Sequence, residues 1–160
     1  MKATVVYVSK TGITASMAEK IAEGLTEGGV EAKAFSYHDI DMDWMTESKT
    51  VIIGTPTYYT DAAADTTAFL ETLGKYGVAG KLGGAFATAQ YAWGGNEMAM
   101  MNIIMHEMFF GMLVYSGGGA AGNPPIHIGP IKIGSADYDW DALAVDYGKR
   151  MAAETIKLFG

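Results

Sequence analysis

A polar turn between an apolar run and a helical pattern constrains this chain more than any other feature. The apolar run covers residues 4–8, and the turn Ser9-Lys10-Thr11-Gly12-Ile13-Thr14 follows it directly. From Ile13 to Leu25, apolar residues recur every four positions, which is typical of a helix. Unpaired N–H groups and a partial positive charge lie at the start of a helix, and Gly12 lets the backbone approach a ligand closely. Strand, turn and helix together therefore predict a cradle for an anion, with the three hydroxyls of the turn as donors.

The kind of anion is narrowed by motifs that the chain lacks. It has no G-x-x-x-x-G-K-[ST] loop of the nucleoside triphosphatases, and no G-x-G-x-x-G follows its first strand. A site for a single phosphate group remains. Taken alone, the six residues also fit an ordinary helix cap with a turn glycine. Their position directly after the first strand favours the phosphate site.

Composition limits the chemistry that the chain can perform by itself. It has 160 residues, of which 49% are hydrophobic, so we expect one domain over residues 1–160. The absence of cysteine excludes thiolate nucleophiles, cysteine-bound zinc and iron–sulfur clusters. The three histidines follow no metal-binding spacing, so no metal site is expected. If this protein handles electrons, it needs an organic cofactor.

The charge of the chain bears on its partners. The formal net charge is −7, and Arg150 is the only arginine. Such a surface repels nucleic acid and anionic membranes and suits a basic protein partner, although solubility alone explains it equally well. The first strand begins close to Met1, and no apolar run approaches the roughly 18 residues of a membrane span. We therefore expect a cytoplasmic protein with no signal peptide.

Five short apolar runs predict five strands, at residues 4–8, 30–36, 51–54, 85–88 and 112–116. The second run alternates apolar and charged residues, as a half-exposed edge strand does. The other four are nearly continuous, as in strands covered on both faces. Residues 126–133 either continue the fifth strand or extend an edge of the sheet.

Helical patterns separate these strands. The first follows the polar turn and ends at Gly28-Gly29. The remaining helices are expected at residues 62–73, followed by Gly74, at residues 96–110 and at residues 139–158, with a short irregular helix at residues 39–48. Strands that alternate with helices predict a parallel α/β sheet.

Aromatic residues cluster in the loops after the third and fourth strands, where an open parallel sheet binds its ligands. The first loop is Gly54-Thr55-Pro56-Thr57-Tyr58-Tyr59-Thr60-Asp61, and the second is Thr88-Ala89-Gln90-Tyr91-Ala92-Trp93-Gly94-Gly95-Asn96. Each aromatic residue alone is more often structural, but together they offer flat faces to a ring system. Two such loops opposite a phosphate turn predict a flat ring with a phosphate on a chain, as in FMN.

The same segments resemble the flavodoxin-like FMN proteins. Ser-x-Thr-Gly-x-Thr after the first strand is similar to the phosphate signature of flavodoxins, and Gly54-Thr55-Pro56-Thr57 is similar to their flavin loop. Gln90, the stretch Gly94-Gly95-Asn96-Glu97 and residues 147–160 resemble the tryptophan-repressor-binding-protein-like NAD(P)H:quinone oxidoreductases. The resemblance implies a doubly wound, five-stranded parallel sheet in the order 2-1-3-4-5, with helices on both faces.

The resemblance also implies which residues hold FMN. The phosphate would be held by Ser9, Thr11, Gly12, Ile13 and Thr14, with Lys10 at its margin. One side of the ring would be lined by Pro56, Thr57, Tyr58 and Tyr59. The other side would be lined by Thr88, Ala89, Gln90, Tyr91, Trp93, Gly94 and Gly95. No catalytic side chain is assigned, because the flavin would carry the electrons.

Two departures from the family pattern bear on function. Many flavodoxins have a glycine in the third-strand loop that responds to flavin reduction, but residues 57–61 contain none. A left-handed conformation costs a non-glycine residue about 1 kcal/mol or more. The chain also lacks an insertion of the tetrameric quinone reductases, so a homo-oligomer is possible but not implied.

Two functional hypotheses follow. The first is a low-potential electron-transfer flavodoxin that exchanges electrons with protein partners, because an acidic protein disfavours negative charge on a reduced flavin. The second is an NAD(P)H-dependent quinone or flavin reductase that uses FMN. The scarcity of arginine argues mildly against a dedicated site for the 2′-phosphate of NADPH.

Two further features have no assigned role. Methionines 98, 101, 105, 108 and 112 repeat in steps of three and four, which puts them on one stripe of the third main helix. We expect this stripe to pack in the core, and a partner or quinone surface is the alternative. His127 could approach the flavin from a loop and deliver a proton, but a surface or packed histidine is the interpretation we favour.

Overall fold

The chain alternates strands and helices, as the sequence predicts. A computed structural model describes residues 1–160. Its strands are β1 (Lys2–Tyr7), β2 (Glu31–Ser36), β3 (Thr50–Tyr58), β4 (Asp61–Ala62), β5 (Leu82–Ala89), β6 (Leu113–Val114) and β7 (Ile131–Ile133). Its helices are α1 (Ile13–Glu27), α2 (Met42–Glu47), α3 (Ala64–Leu70), α4 (Asn96–Phe109) and α5 (Trp140–Phe159), with a 3-10 turn at Leu73–Tyr76. None of these helices combines the length and the apolarity that crossing a bilayer requires.

Five parallel strands form the sheet in the order β2-β1-β3-β5-β6. This confirms the predicted order 2-1-3-4-5, because β5 and β6 are the fourth and fifth predicted strands. The edge position of β2 is also confirmed, and its Glu31 and Lys33 are exposed. Helices α1 and α5 pack on one face of the sheet, and α2, α3 and α4 pack on the other.

Two glycines let α1 and α5 approach each other closely. A Cβ atom at Gly24 would overlap the backbone of Val145, and one at Gly148 would overlap the backbone of Ile21. The side chain of Tyr147, on the inner face of α5, is fully buried. This packing holds α1 against the sheet with its first turn at the carboxyl end of β1.

The predicted helix at residues 62–73 is wrong at both ends. Asp61 and Ala62 instead form β4, which pairs antiparallel with the end of β3. Helix α3 starts after Ala63, whose N–H donates to the hydroxyl of Thr55 at 3.1 Å. Gly74 lies inside the 3-10 turn and not beyond a helix end. The short helix predicted at residues 39–48 is confirmed as α2, where the Asp41 carboxylate accepts the N–H of Trp44 at 3.0 Å.

Two short strands share the position beside β5 at one edge of the sheet. The first, β6, pairs with Leu82 and Gly83, and the second, β7, pairs with residues 87–89. The strand predicted at residues 112–116 is therefore only two residues long, because the chain leaves the sheet after Tyr115, whose N–H donates to Gly83. The question left open for residues 126–133 is thus answered, since residues 131–133 continue along the same edge.

The expectation that the methionine stripe packs in the core is wrong. The inner face of α4 is occupied by Ala99, Met100, Ile103, Ile104 and Glu107. The stripe lies on the opposite face, where Met98, Met105 and Met108 are 59%, 55% and 62% exposed. Only Met112, which follows the helix, is buried. Because both faces of α4 are apolar, helical periodicity alone does not indicate which one faces the sheet.

Candidate functional site

The turn after β1 meets the carboxyl ends of β3 and β5, and together they enclose a cleft of about 300 Å³. The predicted loops after these two strands begin later than expected, because β3 continues to Tyr58 and β5 continues to Ala89. The ten residues that line it are Lys10, Thr11, Ile13, Thr14, Pro56, Thr57, Tyr58, Thr88, Ala89 and Gln90. All ten are among the predicted site residues. The other predicted residues, which lie outside this lining, are Ser9, Gly12, Tyr59, Tyr91, Trp93, Gly94 and Gly95.

The turn between β1 and α1 is preorganised for an anion. The hydroxyl of Ser9 accepts the N–H of Gly12 at 3.1 Å and closes the turn. Gly12 has φ 90°, a left-handed conformation that favours glycine, and it provides no side chain to cap α1. The first N–H groups of α1 therefore have neither an intrahelical partner nor a side-chain cap, which is the arrangement that binds phosphate at helix N-termini.

Thr14 and Thr88 connect the turn to the loop after β5. Their hydroxyls lie 2.8 Å apart, and both side chains are buried. This hydrogen bond braces the cleft, and the N–H of Thr14, one of the first N–H groups of α1, is available to an anion.

The carboxyl end of β3 presents one free hydroxyl. Thr55 is buried and bonds Thr66 at 2.8 Å, so its side chain supports the loop from behind. By contrast, the hydroxyl of Thr57 is buried without a hydrogen-bond partner, although Thr57 lines the cleft. A buried hydroxyl without a hydrogen bond destabilises the fold, and a bound ligand that accepts or donates this bond removes the cost.

The turn between β3 and β4 adopts left-handed conformations without glycine. Tyr59 has φ 50° and Thr60 has φ 69°. Two-residue hairpin turns of this kind normally use glycine or asparagine. The conformation that we considered costly for residues 57–61 is therefore present at two adjacent positions. Backbone strain of this size is found preferentially at functional sites.

The aromatic residues around the cleft divide into two groups. The ring of Tyr58 lines the cleft, and the Lys10 ammonium lies 5.4 Å from the centre of that ring. Lys10 is the only charged residue in the lining. Tyr91 and Trp93 stack on each other with ring centres 5.3 Å apart, outside the lining, and Tyr59 is fully exposed. Their role against a ligand ring stays a prediction.

The loop after β5 is in direct contact with the β3–β4 turn. Gly95 precedes α4 with φ 86°, and a Cβ atom there would lie 2.8 Å from the Cα of Thr60. A Cβ atom at Gly94 would lie 3.2 Å from the carbonyl oxygen of Tyr91 in the same loop. The amide of Asn96 donates to the carbonyls of Tyr91 and Ala92 at 3.3 Å. Gly95 therefore allows the two ring-side loops to touch.

One support of the site, made by residues outside the lining of the cleft, could not be predicted. The N–H of Gly134 donates to the carbonyl of Ala89 at 2.7 Å, and that of Ser135 donates to Gln90 at 3.0 Å. These two residues follow β7 and hold the backbone of the loop after β5 from outside. Gly-Ser in the sequence indicates only a turn. His127, considered as a proton donor, lines a separate cavity of about 660 Å³ and not the cleft.

The donors of the cleft match a phosphate ester better than a free anion. Uncapped helix N–H groups, Lys10 and the hydroxyls of the turn lie at one end. The unpartnered hydroxyl of Thr57, the ring of Tyr58 and the backbone of residues 88–90 lie beyond them. A phosphate, a polar chain and a flat ring in sequence fit this arrangement.

Known proteins share these features. The flavodoxin family model matches residues 5–123. A flavodoxin from Clostridium saccharobutylicum is 37% identical over 99% of this chain and 100% of its own length. An NAD(P)H dehydrogenase (quinone) from Bradyrhizobium diazoefficiens is 30% identical over 71% of this chain and 69% of its own. The structure of a flavodoxin from the domain Archaea superposes with a TM-score of 0.80 at 25% identity, covering 98% of this chain and 99% of the other. The chain therefore belongs to the flavodoxin family, whose members hold a flavin cofactor.

Proposed function

We propose that this chain binds FMN in the cleft and serves as a low-potential electron-transfer protein of the cytoplasm, with residues 1–160 acting as one domain. One observation carries the proposal. The uncapped start of α1 opens into the same cleft as the loops after β3 and β5. A phosphate on the helix start would place an attached ring between these two segments.

The phosphate end of FMN would be held by backbone N–H groups of the turn and of α1, by the hydroxyls of Ser9 and Thr11, and by Lys10 as the one neighbouring cation. The hydroxyl of Thr57 would form a hydrogen bond to the polar chain or to the edge of the ring. The ring would lie between Pro56-Thr57-Tyr58 and Thr88-Ala89-Gln90, with Tyr59, Tyr91, Trp93, Gly94 and Gly95 at its outer edge.

Bound FMN supplies the electron-carrying chemistry, and the protein supplies its position and electrostatic surroundings. The net charge of −7 opposes further negative charge on a ligand, which lowers its reduction potential. Lys10, the only charged residue in the cleft lining, would raise the reduction potential of the ligand. The same acidic surface suits redox partners that present basic faces, and it disfavours nucleic acid and anionic membranes.

A second function is favoured by a specific observation, the 30% identity with an NAD(P)H dehydrogenase (quinone). As an NAD(P)H-dependent quinone or flavin reductase, the chain would need to bind a nicotinamide beside the outer edge of the ring. Tyr91, Trp93 and Tyr59 are exposed at that edge and offer flat faces for stacking.

Anaerobic reduction of the FMN-loaded protein distinguishes the two functions. For the electron carrier we expect reduction by dithionite in two separate one-electron steps and no steady oxidation of NADH or NADPH when a quinone is added. A single two-electron step with sustained quinone reduction by NADPH would show that the reductase is the correct assignment.

A further inference from the structure

Helix α4 is apolar on both of its faces. Its inner face packs against the sheet, as described above. Its outer face carries the exposed side chains of Met98, Met105, Met108 and Phe109, the last of which is 81% exposed. A helix that is apolar all round is normally covered all round, and a contiguous exposed apolar patch marks an interaction surface. We call these four residues, with the half-buried Met101, the methionine face.

The methionine face lies in a part of the chain that is almost free of charge. The chain has 18 acidic and 11 basic residues, yet residues 98–131 include only one of them, Glu107, and it is buried. The exposed acidic groups closest to the face, Asp61, Glu71 and Glu97, lie at its rim. Asp61 accepts a hydrogen bond from Asn102 at 3.1 Å, and Glu71 lines a groove beside Met105.

We propose that the methionine face is an interface between two copies of this chain related by a twofold axis. Two copies that each carry a net charge of −7 repel each other over most of their surfaces. The acidic groups near the methionine face lie only at its rim, so it is the surface at which two copies meet with the least repulsion. A different protein attracted by the acidic surface would bind a charged region instead.

The shape of the face supports a contact with itself. A twofold interface uses the same patch on both subunits, so that the patch must contain both protrusions and recesses. Phe109 is exposed at the end of α4 and forms one side of a groove of about 370 Å³, which is also lined by Glu71, Met105, His106 and Phe110. Methionine side chains are flexible and adapt to a facing copy of themselves. The proposal goes beyond the electron-transfer function and does not depend on it.

Sedimentation equilibrium of the FMN-loaded protein tests the proposal. We expect a mass that rises with concentration toward twice the 17.0 kDa of one chain. The substitutions Met105→Glu and Phe109→Glu should each weaken this association at least about tenfold, because they bury like charges opposite each other. Leu158→Glu, at an apolar position of α5 that is 43% exposed, is the matched control and should not change it.

Salt separates self-association from binding of a basic partner. Because the rim and the net charge repel, added salt should strengthen association of the two copies, whereas it would weaken a contact between opposite charges. A mass of one chain at every concentration, or association that Met105→Glu leaves unchanged, would overturn the proposal.

Oxidation of the unmodified chain by hydrogen peroxide, followed by mass spectrometry, gives a test that needs no variant. In the concentrated protein, Met98, Met105 and Met108 should oxidise more slowly than Met42, which is 47% exposed on α2. On dilution, this protection should disappear. Equal oxidation of Met105 and Met42 in a sample of twice the chain mass would place the interface elsewhere and contradict the proposal.

Discussion

The hydroxyl of Thr14 lies 2.8 Å from the hydroxyl of Thr88, and this buried hydrogen bond connects the start of α1 to the end of β5. One residue belongs to the turn that would hold a phosphate, and the other belongs to the strand end that would line a ring. This pair therefore adds a side-chain contact between the two halves of the site to the pairing of β1, β3 and β5.

Thr88→Val removes one hydroxyl of the pair with little change in shape. It leaves the Thr14 hydroxyl buried without a partner, so we expect a loss of about 1–3 kcal/mol in unfolding free energy. We also expect weaker FMN binding, because the phosphate and ring sides of the cleft lose their connection. Urea unfolding and FMN titration measure the two effects.

Thr50→Val is the matched control for this substitution. Thr50 and Thr155 form a second buried pair at 2.6 Å, but Thr50 begins β3, at the opposite end of the strand from the cleft. The control should lose stability and keep its FMN affinity when measured on the folded protein. Equal losses of affinity in both variants would show that Thr14 and Thr88 have no special part in the site.

Gly95→Ala should disturb the contact between the two ring-side loops. The new Cβ would lie 2.8 Å from the Cα of Thr60 in a residue with φ 86°. We expect a loss of stability above the roughly 1 kcal/mol of backbone strain alone, together with reduced FMN affinity. Gly77→Ala has the same backbone problem at φ 59° but no atom within 4 Å of its Cβ, so it should lose stability and leave FMN binding unchanged.

Tyr59→Gly should stabilise the chain. Tyr59 is fully exposed and has φ 50°, so the substitution removes strain of about 1 kcal/mol without removing packing. Greater freedom of the unfolded chain offsets part of this gain. Tyr59→Ala keeps the Cβ atom and therefore the strain, so it should not raise the melting temperature. A glycine variant no more stable than the alanine variant would argue against strain at this turn.

Glu107 should make stability depend on pH. It is fully buried on α4, where burial raises its pKa well above the usual value, although the N–H of Gly84 donates to it at 3.2 Å. Below the unfolded-state pKa of about 4.3 both states hold the proton, and no penalty applies. At higher pH the unfolded state loses the proton first, so the free energy of unfolding falls until the folded-state pKa is reached.

Glu107→Gln can still accept the N–H of Gly84 and cannot ionise. Its stability should therefore fall less with rising pH than that of the unsubstituted chain, by up to about 1.4 kcal/mol per pH unit in the affected range. Urea unfolding at a series of pH values measures this difference. Parallel pH profiles for the two proteins would contradict the assignment of a protonated Glu107.

The parts of the site that could be predicted are short segments whose residue types suit a ligand and whose place at the end of a strand suits one too. The turn from Ser9 to Thr14 combines hydroxyls, a glycine and a helix start within six residues, so its role needs no distant contact. The loops beginning at Pro56 and Thr88 could be assigned because parallel strands end at the same edge of the sheet.

Other features depend on contacts that no local pattern reports. The exposure of Met105 follows from which apolar face of α4 meets the sheet. The start of α3 follows from the bond between Thr55 and the N–H of Ala63, eight residues away. The carbonyl of Gln90 is held by the N–H of Ser135, which reaches it only because β7 pairs with the end of β5.

The central claim is that the turn from Ser9 to Thr14 holds the phosphate of FMN. The most direct measurement is the affinity of the flavin-free protein for FMN and for riboflavin, which has the same ring and no phosphate, followed by quenching of flavin fluorescence. We expect riboflavin to bind at least about a hundredfold more weakly, since it forfeits charge-assisted hydrogen bonds worth about 2.8 kcal/mol together. Equal affinities for the two flavins, or no quenching of FMN, would contradict the claim.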